Sequence, residues 1–109
     1  MGTPTFHHFG VPTSVERDGE IYIEAAGVRV TDPDAHPYRV EFLRFDPDSC
    51  MDEAIRTRSH AAFMVDDLAA ALEGRDVLVE PFDATETLRV AFITDGDALI
   101  ELMQEIPGP

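Results

Sequence analysis

The chain has 109 residues, 44% of them hydrophobic, enough for one modest core and too many for wholesale disorder. Eight basic residues stand against 22 acidic ones, a formal charge of −14, and a field of that sign repels nucleic-acid phosphates. No apolar run approaches the length of a membrane span, no signal-peptide pattern opens the chain, and the single cysteine, Cys50, cannot build a disulfide framework, so a cytoplasmic location away from membranes is expected.

The chain opens with "FHHFGV" (6–11), a strand-like run with adjacent histidines, His7 and His8. Side chains alternate along a strand, so the two should point to opposite faces. "EIYIEAAGVRVTD" (20–32) reads as extended structure broken by a turn at Gly27. "YRVEFLRF" (38–45) alternates, with Val40 and Phe42 on one side and Arg39, Glu41, Leu43 and Phe45 on the other. "DPDSCMDEAIRTRS" (46–59) is a polar linker with a short helical turn, for which Ser49 and Asp52 are the available caps.

"HAAFMV" (60–65) is again strand-like, and "DDLAAALEG" (66–74) reads as a helix capped by Asp66 or Asp67 and ended by Gly74. Three strands follow, at 76–82, 87–95 and 98–104. Pro81 should end the first or place it at a sheet edge, and Asp95-Gly96 signals a hairpin between the other two.

The two halves share a pattern. "HHFGV" matches "HAAFMV", and "VEFL" (40–43) matches "IELM" (100–103). His8 precedes Glu41 by 33 residues and His60 precedes Glu101 by 41. The shortfall matches the length of the 66–74 helix, whose place after Val11 is taken by "PTSVERDGE" with no apolar stripe. The chain therefore reads as a duplicated unit whose first copy lacks its helix.

His8, Glu41, His60 and Glu101 are four metal-competent residues, one from each end of each half. Taken singly, each is an ordinary strand residue; their matched placement singles them out. Imidazole with carboxylate suits Zn, Fe, Mn, Co or Ni, and the lack of thiolate ligands argues against a structural zinc-cysteine site. Glu101 shares a strand face with Leu99 and Met103, and His60 shares one with Ala62 and Met64, so both should project into a dry pocket. A carboxylate in such a place must be paired or bind a metal.

The segment 59–104, with histidine opening a strand, "VDDL" opening a helix and "IEL" on the last strand, resembles the C-terminal βαβββ module of the vicinal oxygen chelate superfamily, the glyoxalase, bleomycin-resistance and extradiol-dioxygenase group. "HHFGV" resembles that family's first strand, and the resemblance runs from Phe6 to Gln104. It implies an α+β fold of paired βαβββ modules in a curved mixed sheet: a first half-module at about 6–46, a linker at 47–59 and a second half-module at 60–104. It selects His8 over His7. It also implies a divalent ion held by His8, Glu41, His60 and Glu101, with Glu41 and Glu101 as catalytic carboxylates, a small oxygen-chelating substrate and a homodimer. The activity implied is that of an isomerase, epimerase or lyase. Ring-cleaving dioxygenation and metal-free binding of a drug-like molecule are the alternatives.

The remaining chemistry-bearing residues read as bland. His7 should lie at the surface or an interface, with support of a ligand from behind as the lesser alternative, and His36 sits in the proline-rich "DPDAHPY" loop. Cys50 has no histidine near it in sequence. Arg39 or Arg89 could face the pocket and hold a substrate carboxylate.

Overall fold

The computed structural model describes residues 2–107. The first half contributes β1 (Thr5–Pro12), β2 (Ile21–Ile23), β3 (Val28–Val30) and β4 (Val40–Phe45). A short helix α1 (Glu53–Thr57) follows in the linker. The second half contributes β5 (His60–Met64), helix α2 (Leu68–Leu72), β6 (Asp76–Thr85), β7 (Leu88–Asp95) and β8 (Ala98–Glu105).

All eight strands form one sheet in the order β2-β3-β4-β1-β5-β8-β7-β6. The order is the same read outward from its centre in either direction: first strand, last strand, third, second. At the centre β1 and β5 run antiparallel, with Phe9 opposite Ala61, His8 opposite Ala62 and Gly10 opposite His60. Each half then adds its last strand in parallel, which sets Glu41 beside Gly10 and Glu101 beside Ala62. The matched histidine-to-glutamate pattern is thus a pseudo-two-fold relation in space. The difference in spacing is absorbed between the first and last strand of each half.

The sheet curls until its ends approach. Phe82 and Ala84 of β6, at one end, pack with Ile23 and Ala26 beside β2, at the other, around a concave core of Val28, Val30, Leu43, Val90, Phe92 and Met103. Alternation along β4 and β8 turns Glu41 and Glu101 to this concave side among Leu43, Leu99 and Met103. On the convex side of the second half, α2 lays Leu68 over Ala91, Ile93 and Leu102. Asp67 caps α2 by accepting from the Ala70 N–H, and Gln104 Oε1 accepts from the Leu68 N–H at 2.7 Å, tying the helix to β8.

Residues 13–20 form no helix, as the first half's sequence requires. The corresponding convex face is left to Phe6 and Phe9, 40% and 49% exposed, while Arg17 lies over the Phe42 ring at 3.7 Å. The linker does the covering on the concave side. Asp52 caps α1 through the Ala54 N–H, and Ile55, 1% exposed, packs into the core, where a buried side chain of its size stabilises by about 1.5–3 kcal/mol. Ser49 is not the helix cap; its hydroxyl donates to the Ala26 carbonyl at 2.6 Å and fastens the linker to the start of β3. Pro81 does not end its strand. β6 continues through it to Thr85 because it is the edge strand, where a missing N–H costs nothing, and the pairing with β7 shifts register between Val79 and Phe82.

Candidate metal centre

His8 and His60 stand on neighbouring strands and face the same concave side. Both are buried, 2% and 3% exposed. Their rings meet edge to face with centroids 5.9 Å apart, and Phe92 backs the His60 ring at 5.3 Å. The His60 ring lies across Gly10, and a β-carbon on Gly10 would run into it. A glycine inside a strand often marks such a close approach. Gly10 is therefore a site residue that the histidine–glutamate pattern alone did not reveal, although a lone glycine in an apolar strand was the available signal.

Glu101 bridges the two imidazoles. One oxygen, Oε1, lies 3.1 Å from His60 Nε2 and 3.5 Å from His8 Nε2. Glu41 Oε1 lies 3.3 Å from His8 Nε2. The two carboxylate side chains are 12% and 16% exposed. The ligand-type atoms of His8, His60 and Glu101 all lie within 4.8 Å of one another, and Glu41 flanks this group on the His8 side. The sheet therefore brings together all four residues singled out in the sequence.

Two buried nitrogens, His8 Nε2 and His60 Nδ1, have no hydrogen-bond partner among the described residues. Buried polar atoms are normally satisfied, and those left over call for an explanation such as an ion. His8 Nε2 is aimed at both carboxylates, which is how an imidazole ligand would point. The donor set of two imidazoles and carboxylate fits a divalent transition ion.

Electrostatics agree with this geometry. Burial alone would lower the His8 pKa, but Glu101 and Glu41 outweigh it and raise it from 6.5 to about 9. Burial would raise the Glu101 pKa, but His60 and His8 hold it down at about 2. Without an ion, the proton on His8 takes the place of the positive charge.

His7 differs from expectation. The β1–β5 register shifts between Phe6 and His8, so the chain does not alternate cleanly there. The His7 ring turns toward its neighbour, and its Nδ1 lies 2.8 Å from His8 Nδ1. If His8 Nε2 takes an ion, the His8 proton sits on Nδ1 and is donated to His7 Nδ1. Partial burial, then the His8 charge, lowers the His7 pKa, in keeping with a neutral acceptor. His7 thus orients His8 rather than sitting at a free surface.

Arg39 and Arg89 do not face the pocket. Arg39 pairs with Asp34 at 2.8 Å and donates to the His7 carbonyl, and Arg89 pairs with Asp83 at 2.7 Å. His36 accepts from the Tyr38 N–H in its loop, and Cys50 is exposed.

A cavity of about 70 Å³ opens above the group. Its only polar lining residues are His8, Glu41 and Glu101; the walls are apolar, including Val30, Leu43, Phe82 and Met103.

No protein-family model and no curated sequence matches the chain. Solved structures share its fold, among them the following two. A hypothetical protein from Bacillus halodurans C-125 superposes with a TM-score of 0.67 at 14% identity, covering 99% of each chain. Methylmalonyl-CoA epimerase from Mycobacterium tuberculosis superposes with a TM-score of 0.61 at 20% identity, covering 94% of this chain and 89% of the epimerase. The curled eight-stranded sheet is therefore an architecture that a known epimerase also uses.

Gly10→Ala should push the His60 ring out of place and cost about 1–3 kcal/mol, read by chemical denaturation. The metal-free protein should also show a pH-dependent stability set by two groups. The raised His8 pKa contributes stability that is complete below pH 6.5 and lost as pH rises through about 9. The depressed Glu101 pKa contributes stability that is complete above pH 4.5 and lost as pH falls through about 2. Thermal melts of chelator-treated protein should peak between these limits, and His8→Gln should flatten the alkaline limb.

Proposed function

We propose that the protein is a divalent-metal-dependent isomerase or epimerase of the vicinal oxygen chelate superfamily, with His8, His60 and Glu101 as ligands and Glu41 as the ligand-base. The observation that carries this reading is the Glu101 carboxylate set against two buried histidines, with His8 Nε2 facing Glu41 as well and making no directed hydrogen bond to either carboxylate. Two neutral imidazoles and two carboxylates balance a divalent charge, so such a site is neutral in its apolar surroundings. The shared fold with an epimerase supports the same reaction class.

When bound, the ion would act as a Lewis acid toward negative charge developing on a substrate oxygen. Glu101 contacts both histidines and is held as the fixed carboxylate. Glu41 contacts only His8 and lines the cavity, so it is freer to reach a substrate carbon. Its carboxylate would take the proton from that carbon while the C–H electron pair moves toward the neighbouring carbonyl. It would then return the proton to the adjacent carbon while the hydroxyl proton passes to the other oxygen, interchanging carbonyl and hydroxyl. Inverting a centre would instead need the second cavity carboxylate, Glu101, to deliver a proton to the opposite face. The apolar walls exclude water from the exchange.

A ring-cleaving oxygenase is the second reading, because the tight group is two histidines and one carboxylate. The cavity favours the first. At about 70 Å³ it is smaller than the ~150 Å³ apolar void that admits one benzene ring, which also disfavours a drug-sequestering role. A homodimer belongs to the proposal, supported by the uncovered Phe6 and Phe9 where the first half lacks a helix. Sedimentation should then return a dimer at micromolar concentration, and monomer alone would remove that element.

Equilibrium dialysis of chelator-stripped protein against zinc or cobalt should return one ion per chain. His60→Ala or Glu101→Ala should abolish uptake, and His7→Ala should weaken it about 10–100-fold. Glu41→Gln should keep the fold and some metal affinity while slowing proton transfer about 10²–10⁴-fold on a substrate that the parent protein turns over. Undiminished uptake by the His60 and Glu101 variants would dismiss the site.

A further inference from the structure

We infer that the cavity is built for a small uncharged substrate and that it rejects carboxylates and phosphates of the same size. This rests on the metal-dependent isomerase reading and names its substrate class.

The first argument is the placement of every basic side chain. The chain has no lysine, and its eight basic residues are all arginine. None lines the cavity. Arg29, Arg39, Arg44 and Arg89 are paired with Asp46, Asp34, Glu20 and Asp83. Arg56 donates to the Met51 carbonyl and Arg58 to the Asp97 carbonyl. Arg17 covers Phe42, and Arg75 lines a groove beside α2 with Phe63 and Leu102 of the convex core. An anionic substrate would find no guanidinium or ammonium group to meet it.

The second argument is charge. Glu41 and Glu101 already balance a divalent ion, so an anion would bring an uncompensated negative charge among apolar walls, where an unpaired charge is strongly disfavoured. A neutral substrate adds none. When Glu41 takes its proton, the negative charge passes from the carboxylate to the substrate oxygen, and the total inside the cavity stays the same. The third argument is size. Since a cavity needs on the order of 10–15 Å³ of such volume per water, about 70 Å³ holds roughly five water-sized groups.

The test uses cobalt-loaded protein and two probes of nearly equal shape, hydroxyacetone and glycolate. Both offer a hydroxyl and a carbonyl-type oxygen on adjacent carbons, and only glycolate is charged. Cobalt uptake is measured first by dialysis, then each probe is titrated while the visible cobalt spectrum is followed. Hydroxyacetone should shift the spectrum and bind at least tenfold more tightly than glycolate, the reverse of their order toward free cobalt in buffer. Glycolate binding equally or more tightly would overturn the substrate class and leave the metal site standing, as would cobalt uptake with neither probe binding. Failure to take up cobalt at all would overturn the metal reading and this inference with it.

Discussion

The antiparallel pairing of β1 with β5 is the constraint on which the rest depends. Setting Gly10 opposite His60, and His8 opposite Ala62, places two imidazoles on one face with nothing larger than a methyl group between them and the partner strand. Each parallel neighbour then delivers one glutamate to the same level. A slip of one residue in any of these pairings would turn a histidine or glutamate to the convex side and dismantle the group. Strand register, more than any single side chain, creates the site.

Burial then decides what that register means. Two imidazoles and two carboxylates have been drawn into a core that otherwise consists of alanine, valine, isoleucine, leucine, phenylalanine and methionine. Without an ion they compensate one another incompletely: Glu101 pairs with His60 at 3.1 Å, His8 Nε2 lies at ion-pair distance from both carboxylates without a directed hydrogen bond, and His60 Nδ1 has no partner among the described residues. A hydrophobic core built for stability alone would have no reason to carry this group, since apolar replacement of buried ions is often neutral or stabilising. The group is held by packing that includes Phe92 against His60 and His7 against His8.

The two halves correspond in register and differ around it. Their strand orders match and their ligand-type residues take corresponding register positions, yet among the described residues only the second half has a helix on its convex face. The loss is tolerated because that helix packs away from the cavity. The linker compensates on the other side, where Met51 and Ile55 close the concave wall. That closure limits the volume, so an element that read as a polar connection shapes the pocket.

Much of this was legible in the sequence, because alternation and spacing are local. The strands, the missing first helix, a pair of cap candidates for each helix and the repeated histidine-to-glutamate interval follow from residue order, since period-two patterning and cap chemistry act over a few residues; the structure chose Asp52 over Ser49 and Asp67 over Asp66. The expectation that His8, Glu41, His60 and Glu101 converge comes from the repeat together with the family resemblance, which selects His8 over His7. What only the tertiary structure decided depends on register and close approach. The bulge that turns His7 onto His8 breaks the alternation a strand should keep. The need for glycine at position 10 appears only once His60 is laid across it, and Arg39 and Arg89 are turned from the pocket by the loop and hairpin geometry that sets them against nearby Asp34 and Asp83. Local order set which residues could act; long-range pairing, which no short window of sequence contains, set which of them meet.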